Sequence, residues 1–380
     1  MARSKLAAAL FSAIGENAEQ VGIKNWLHTG IPELDAALSG MFENGGLPGG
    51  RMIEIFGPAS SGKTFLATMA MIAAQQQGGI AGFSDHERSF EPGLAESLGM
   101  IVDADSGLFV YKRPETFEES IQYAMTFCEY VRKNKLIPDD APLVWVFDSV
   151  AAMIPAEKLY DDKGNRKTKI NMKDKLALAT ATSQNYPQLA QFAEDYNMTV
   201  LLLNQVRMKP GVMYGDPTTT PGGQAAEFYA SIRVSLGRKM ITNGESGDKK
   251  ETLGQEITAN IIKNKVTRPF QKAKWNVMYN MTGKGAWVDR VGSTLDFLVR
   301  KGLIPKAGNR LSWDGKSLYQ SQIATLLAAL PEADAMAQLK KYLPASASGL
   351  TAMDEESDLS KQATEGGETE VGAVEEGDEE

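Results

Sequence analysis

Apolar residues follow two rhythms in this chain. Continuous apolar runs at 52–56, 79–84, 107–111, 143–147 and 198–203 are short and end near a polar residue, as buried strands do. Between them apolar positions recur every three or four residues. That spacing predicts helices after residue 64 (Phe65, Leu66, Met69, Ile72, Ala73) and over 91–98, 115–132 and 175–196, the last kinked at Pro187. Strands alternating with helices, the strands apolar throughout, predict an α/β core: a mostly parallel sheet with helices on both faces. From residue 227 the pattern changes. Segments 228–236, 256–265 and 273–279 read as strands continuing the sheet antiparallel. Segment 288–301 reads as a helix, 303–318 as a small hairpin unit turning at Asp314-Gly315, and 320–330 and 332–343 as helices of a small α+β C-terminal domain. Ahead of the first run, residues 26–50 are turn-rich with a short helix near 32–38. Leu6, Leu10 and Ile14 give the N-terminus an amphipathic helix. The expected division is an N-terminal helix and linker serving oligomerisation (1–28), the core (29–280), the small domain (281–345) and a tail (346–380).

The stretch after the first run adds chemistry. Gly57, Pro58, Ala59, Ser60, Ser61, Gly62, Lys63 and Thr64 fit G-x-x-x-x-G-K-[ST] between a strand and a helix. The glycines let successive backbone N–H groups turn toward one anion, at a helix N-terminus that favours negative charge. Lys63 adds a full charge for β/γ-phosphates, and the Thr64 hydroxyl suits Mg²⁺. A triphosphatase also needs a metal-side carboxylate and a group that orients water. Asp148 closes the run 143–147 and is placed for the first role, or for capping a helix. Glu87 follows the second strand and is placed for the second role, as Asp85 equally is. Gln205 ends the strand 198–203 and is either a phosphate contact or a strand-end amide.

Charge and composition sharpen this. The net charge of −8 hides a segregation: twelve acidic residues stand against one lysine between Asp354 and Glu380, and the rest of the chain is mildly basic. The tail is poor in apolar residues and reads as disordered, either a solubilising segment or a competitor of a polyanion for the basic body. One cysteine, Cys128, excludes an intrachain disulfide framework and suits a reducing cytoplasm, and two histidines make a His-based metal site a poor reading. No apolar run reaches membrane-span length, so no membrane partner is expected. Two polar stretches suit nucleic acid. Residues 206–221 carry Arg207 and Lys209 for phosphates beside Met208, Val212, Met213 and Tyr214 for bases. Residues 156–175 are rich in lysine with Arg166, Lys167 and Lys169. Lys263 and Lys265 alternate on a strand and share one face.

These stretches carry a family resemblance. GPASSGKT, FSDHERSFEP (83–92), VFDSVAAMIP (146–155), NQVRMKPGVMY (204–214), TTTPGGQAAEFYASIR (218–233) and IKNKVTRPF (262–270) resemble the bacterial RecA recombinases and their phage counterparts of the UvsX type, over residues 29–342. The resemblance implies a RecA-like P-loop NTPase fold and a DNA-dependent ATPase that uses ATP and Mg²⁺. It implies a helical filament on single-stranded DNA that pairs with homologous duplex DNA, aided by single-strand-binding and mediator proteins, in the cytoplasm. It makes Glu87 the catalytic glutamate and Gln205 the γ-phosphate sensor, and places Glu91 with the nucleotide-binding residues. It makes 206–221 the second DNA-binding loop, to which Gly211, Gly222 and Gly223 are assigned, and about 156–173 the first. It makes Lys263 and Lys265 the pair that reaches a neighbouring subunit's ATP, and Phe228 an interface residue. Departures are Leu94 where the family carries an adenine-stacking tyrosine, Glu227 in place of a basic residue, a longer and more basic first loop, and a short N-terminal helix. The rival expectation is a RecA-fold ring motor or nucleotide-regulated scaffold, which shares the ATP site without the paired loops. A DNA-coating protein that does not hydrolyse nucleotide fits Glu87 and Asp148 poorly.

Overall fold

A computed structural model describes residues 22–161, 163–167, 176–208, 218–244, 250–280 and 285–347. The expected N-terminal helix and acidic tail lie outside them, as do Lys169, Lys209, Gly211, Val212, Met213 and Tyr214.

A two-residue strand β1 (Trp26–Leu27) pairs with β2 (Leu47–Pro48) around helix α1 (Pro32–Ser39). The core then runs β3 (Met52–Gly57), α2 (Lys63–Gln76), β4 (Ile80–Asp85), α3 (Pro92–Ser97), β5 (Phe109–Lys112), α4 (Phe117–Lys133), β6 (Leu143–Asp148). It continues through α5 (Ala156–Leu159), α6 (Ala177–Asp195), β7 (Met198–Gln205), the short pair β8 (Arg207–Met208) and β9 (Thr218–Thr219), and α7 (Ala225–Tyr229). Long strands β10 (Ile232–Thr242), β11 (Thr252–Asn264) and β12 (Lys272–Tyr279) follow, then β13 (Ala286–Asp289) and α8 (Arg290–Arg300). The chain closes with β14 (Lys306–Ala307), β15 (Arg310–Trp313), β16 (Lys316–Leu318), α9 (Gln320–Ala328) and α10 (Glu332–Lys340).

Among the described residues the main sheet has nine strands in the order β13-β12-β11-β10-β3-β7-β6-β4-β5. β5, β4, β6, β7, β3 and the start of β10 are parallel, and β10 through β13 pair antiparallel. The apolar runs are strands because both of their faces are covered. Along β6, Val144 and Val146 enter one core with α2, while Leu143, Trp145 and Phe147 enter a second with α4 and α6. Along β7, Leu201 and Leu203 go to the first, Val200 and Leu202 to the second. A period of two thus splits each run between two cores. The α4 helix shows how local chemistry cooperates with this. The Thr116 hydroxyl accepts from Glu119 N–H at 3.1 Å, acids occupy the first turn and Arg132 and Lys133 the last, which complements the helix dipole.

The strand order explains where a ligand can sit. From β3 the chain crosses outward to β4; from β6 it returns through β7 and then to β10. The connections leaving β3 and β7 therefore depart to opposite faces, which opens a crevice at their C-terminal ends.

Two expectations need correction. The apolar stretch 228–236 divides: Ala225–Tyr229 is a helix and the strand begins at Ile232. The reason is period, since Ala225 and Ala226 are buried while Phe228 is 68% exposed, the outward side of a short helix. Segment 288–301 likewise begins as an edge strand, and the helix starts at Arg290 because the Asp289 side chain caps it, accepting from Gly292 N–H at 2.8 Å. The expected helix forms over Ala177–Asp195 with Pro187 inside it. The hairpin at Asp314-Gly315 forms as expected, with both residues at positive φ (44° and 75°). The sheet reaches Asp289, past residue 280, and a third core of Leu295, Phe297, Leu298, Ile304, Leu311, Trp313, Ile323 and Leu327 takes in Ala36 and Phe42 from the N-terminal side.

Candidate active site

The glycine loop is held tightly enough to need its small residues. A Cβ on Gly57 would lie 2.5 Å from the Leu236 carbonyl oxygen, and Gly62 stands at φ +91° as the residue before α2. Ser60 is also left-handed at φ 56°. The first turn of α2 carries no acid, so its N–H groups meet the loop's concavity without a competing carboxylate.

Lys63 curls over this loop, its Nζ donating to the carbonyls of Gly57 at 3.2 Å and Pro58 at 2.8 Å. Burial lowers its pKa, opposed by Asp148 and Glu87. Thr64 Oγ1 donates to Asp148 Oδ2 at 2.7 Å. The Asp148 carboxyl is pushed up to about 6, first by burial and then by Glu87 and Asp85, while Thr64 and Lys63 hold it down. A buried carboxylate beside a hydroxyl, short of positive charge, fits Mg²⁺: both are hard oxygen donors, and this cation takes few protein ligands and completes its shell with phosphate and water. Thr64 and Asp148 would hold it.

Sequence left Asp85 and Glu87 equivalent; the structure separates them. Asp85 is fully buried and serves its own turn, accepting from Ser89 N–H and Phe90 N–H at 3.2 Å each and from the Tyr111 hydroxyl at 2.7 Å. Glu87 lines the crevice, a cleft of about 380 Å³ walled by Ser60, Lys63, Thr64, Asp148 and Gln205 as well. Its Oε1 accepts from Ser149 Oγ and, at 3.1 Å, from Gln205 Nε2. The amide and the carboxylate that spacing placed on separate strands therefore meet. Gln255 and Tyr279, from β11 and β12, complete the wall. Sequence reasoning missed both. Gln255 Oε1 is buried without a partner, and Tyr279 brings an aromatic ring to a site where Leu94 offers none. Glu91 is not among the cleft-lining residues and stands before the first turn of α3.

The second loop leaves β7 through the β8–β9 pair, with Arg207 exposed opposite Thr219. Its return is anchored: Asn204 Nδ2 donates to the Pro221 carbonyl at 2.9 Å, and Thr182 Oγ1 to the Gly222 carbonyl at 2.6 Å. Gly222 and Gly223 both have positive φ, and a Cβ on Gly223 would lie 3.0 Å from Ala179, so these glycines seat the loop base against α6. In the first loop, Arg166 pairs with Glu115 at 3.0 Å and Lys167 Nζ donates to the Glu157 carbonyl at 2.5 Å.

Lys263 and Lys265 stand elsewhere. Lys263 pairs with Arg233, which pairs with Glu54, and Lys265 N–H bonds to Ser231, whose own N–H bonds to Met52. They are level with the beginning of β3, while the phosphate loop starts at its end. Three residues of strand, ~10 Å, and the sheet itself separate them from the cleft. Both amino groups meet the Phe228 carbonyl, at 3.0 and 3.4 Å, and Lys265 Nζ lies 5.9 Å from the centroid of the exposed Phe228 ring.

A buried polar network, unforeseen from spacing, joins these parts. Glu54, fully buried, accepts from Arg233 Nε at 2.6 Å and from Asn204 Nδ2 at 3.0 Å. Arg233 also pairs with Glu227 at 3.3 Å and lies over the Phe56 ring. The signal was present as single charges inside the apolar runs MIEIF and IRVSL.

Among known families, the model of the RecA N-terminal domain matches residues 10–284. Curated relatives include Protein RecA of Leptospira meyeri, 36% identical over 298 residues that cover 78% of this chain and 68% of the relative. The Thioalkalivibrio sulfidiphilus protein is 35% identical over 296 residues, covering 78% and 77%, and that of Gluconobacter oxydans 35% over 298 residues with the same coverage.

Proposed function

Because the chain belongs to the RecA family, we propose that it is an ATP-dependent DNA recombinase. It assembles on single-stranded DNA, pairs that strand with homologous duplex and exchanges strands in recombination and repair, acting in the cytoplasm alongside single-strand-binding and mediator proteins. The carrying observation is the division of candidate nucleotide ligands between two ends of one sheet. Lys63, Thr64, Asp148, Glu87 and Gln205 share the cleft, while Lys263 and Lys265 sit at the far end beside an exposed Phe228. The two lysines stand away from their own subunit's cleft, which supports the reading that they serve a neighbour's nucleotide and that the active unit is an assembly.

In that assembly the loop N–H groups and Lys63 cradle the phosphates. Thr64 and Asp148 would hold Mg²⁺, which would supply neutralisation of the charge that develops on the phosphates. Glu87 Oε1 orients the attacking water and takes its proton. Gln205 Nε2, bonded to Glu87 in the free site, is released to the terminal phosphate when nucleotide binds. As Gln205 directly precedes the β8–β9 neck, that exchange carries the phosphate state into the second loop. Tyr279 supplies the aromatic surface for the base.

Electron microscopy with single-stranded DNA and a non-hydrolysable ATP analogue, beside a strand-exchange assay, tests the reading. Helical filaments and exchange are expected. Closed rings with directional unwinding would establish the ring-motor alternative.

A further inference from the structure

A second cavity, of about 480 Å³, lies behind Glu87 and shares no wall residue with the nucleotide cleft. His86 and Arg88, which flank Glu87, form one side; Glu115, Ile154 and Arg166 form others. Arg88, at φ 60°, is held by one hydrogen bond from Nη2 to the Pro114 carbonyl at 3.3 Å, and among the described residues no carboxylate pairs with it. Arg166 is held by Glu115, whose other oxygen accepts from the Tyr160 hydroxyl at 2.7 Å. That ion pair is largely exposed, so it is weakly held and displaceable. His86 Nε2 is buried with no partner, and burial with Arg88 nearby lowers the ring's pKa to about 4. The ring is therefore neutral at pH 7 and adds no charge to the cavity.

Two guanidinium groups facing one cavity select the ligand. A cation is repelled and an apolar group leaves the donors unsatisfied, whereas an anion with several acceptor oxygens answers both. Lys158, Lys163 and Lys167 stand on the same segment as Arg166, beside Glu157 and Asp161, and leave it net positive, which suits a chain of anions better than a single one. We propose that this cavity takes a backbone phosphodiester of the bound single strand between Arg88 and Arg166, and that Glu115 occupies Arg166 in the strand-free protein. The proposal rests on the recombinase reading. It places strand contact against the residues on either side of Glu87, so that strand binding bears directly on the hydrolytic group.

The test is anisotropy of a labelled oligothymidylate over a salt series, with an ATP analogue present, for the wild type, Arg88→Gln, Arg166→Gln, their double variant and Glu115→Gln. Loss of one single-strand phosphate contact makes the log–log salt slope shallower by about 0.7. The double variant is expected to show that change and to bind roughly tenfold more weakly at low salt, while Glu115→Gln binds about two- to fivefold more tightly. Unchanged binding of a fluorescent ATP analogue reports intact folding. A wild type that binds no single strand overturns both this proposal and the recombinase reading. A wild type that binds, with an unaltered slope in the double variant, overturns this proposal alone. So does thermal stabilisation by inorganic phosphate that needs Arg88 while the slope stays unaltered, because the cavity is then a free-phosphate site.

Discussion

Glu54→Gln is the sharpest test of the buried network. In the native protein Arg233 is 8% exposed and faces a fully buried Glu54 across 2.6 Å. Removing one charge of such a pair strands the other, at a cost of about 3–5 kcal/mol. Two features hold the cost near the lower value: Glu227 remains 3.3 Å from Arg233 Nη1, and the glutamine keeps an oxygen for Asn204 Nδ2. For a domain of this size 1 kcal/mol moves Tm by about 2–4 °C, so a fall of roughly 6–12 °C is expected. Circular-dichroism melts without nucleotide measure it. A double variant, Glu54→Leu with Arg233→Met, removes both charges together and should recover most of the loss. A fall under about 2 °C for Glu54→Gln, or a double variant no better than the single one, would refute the argument that this pair is a costly, mutually dependent contact.

Lys63→Ala and Glu87→Gln should each abolish phosphate release from ATP in a coupled assay, and Glu87→Gln should still bind the nucleotide; full turnover in either contradicts the site. Burial pushes the Asp148 carboxyl up to about 6 in the folded protein, from an ordinary value of 3.8. The folded state therefore holds more protons than the unfolded one between these values, and this group's contribution to stability declines as pH rises through that window. Mg²⁺-dependent nucleotide affinity runs the other way, weakening as pH falls below about 6, and a fluorescent-analogue titration should lose that pH dependence in Asp148→Asn. Cys128 is buried, bonds to the Met125 carbonyl at 3.2 Å, and burial pushes its thiol up to about 12. It should react with a thiol reagent only in denaturant, and rapid labelling of native protein would show the α4 packing to be wrong. Gly82→Ala places a Cβ against the Trp145 indole between β4 and β6, so a loss of about 1–3 kcal/mol in urea unfolding is expected.

The sheet was legible because its strands are unusually plain. A run such as LVWVF, flanked by helical spacing, admits few readings other than a strand covered on both faces. The glycine loop was legible because its chemistry is local: glycine, lysine and threonine act within one turn. What spacing could not supply was convergence. Nothing in the order of residues places Gln205 on Glu87, 118 positions earlier, or Tyr279 on the cleft wall, because those contacts come from strand order. Asp85 and Glu87 were indistinguishable for a related reason: which of them turns into the crevice is set by the tight turn at Ser89 and Phe90 and by Tyr111 on the neighbouring strand. The helix at Ala225–Tyr229 was misread because a short apolar run does not reveal its own period.

Strand order also gives the network around Glu54 its meaning. β3 carries the glycine loop at one end and Glu54 three residues before that end; β7 carries Gln205 at one end and Asn204 beside it; β10 begins next to the helix that bears Phe228 and carries Arg233. One buried carboxylate on the strand that leads into the glycine loop thus touches the strand that leads into the 206–221 loop and the strand beside the exposed Phe228. A charge is expensive to bury, and three apolar side chains would fill the space more cheaply. What the apolar alternative lacks is direction: hydrogen bonds fix Asn204 relative to Arg233 to within tenths of an ångström, while packed methyl groups tolerate sliding. Asn204, next to Gln205, is bonded both to Pro221 at the loop base and to Glu54, and Glu54 in turn to Arg233. The polar network thus links, by contiguous hydrogen bonds, the strand that ends at the cleft, the base of the 206–221 loop and the strand beside the exposed Phe228.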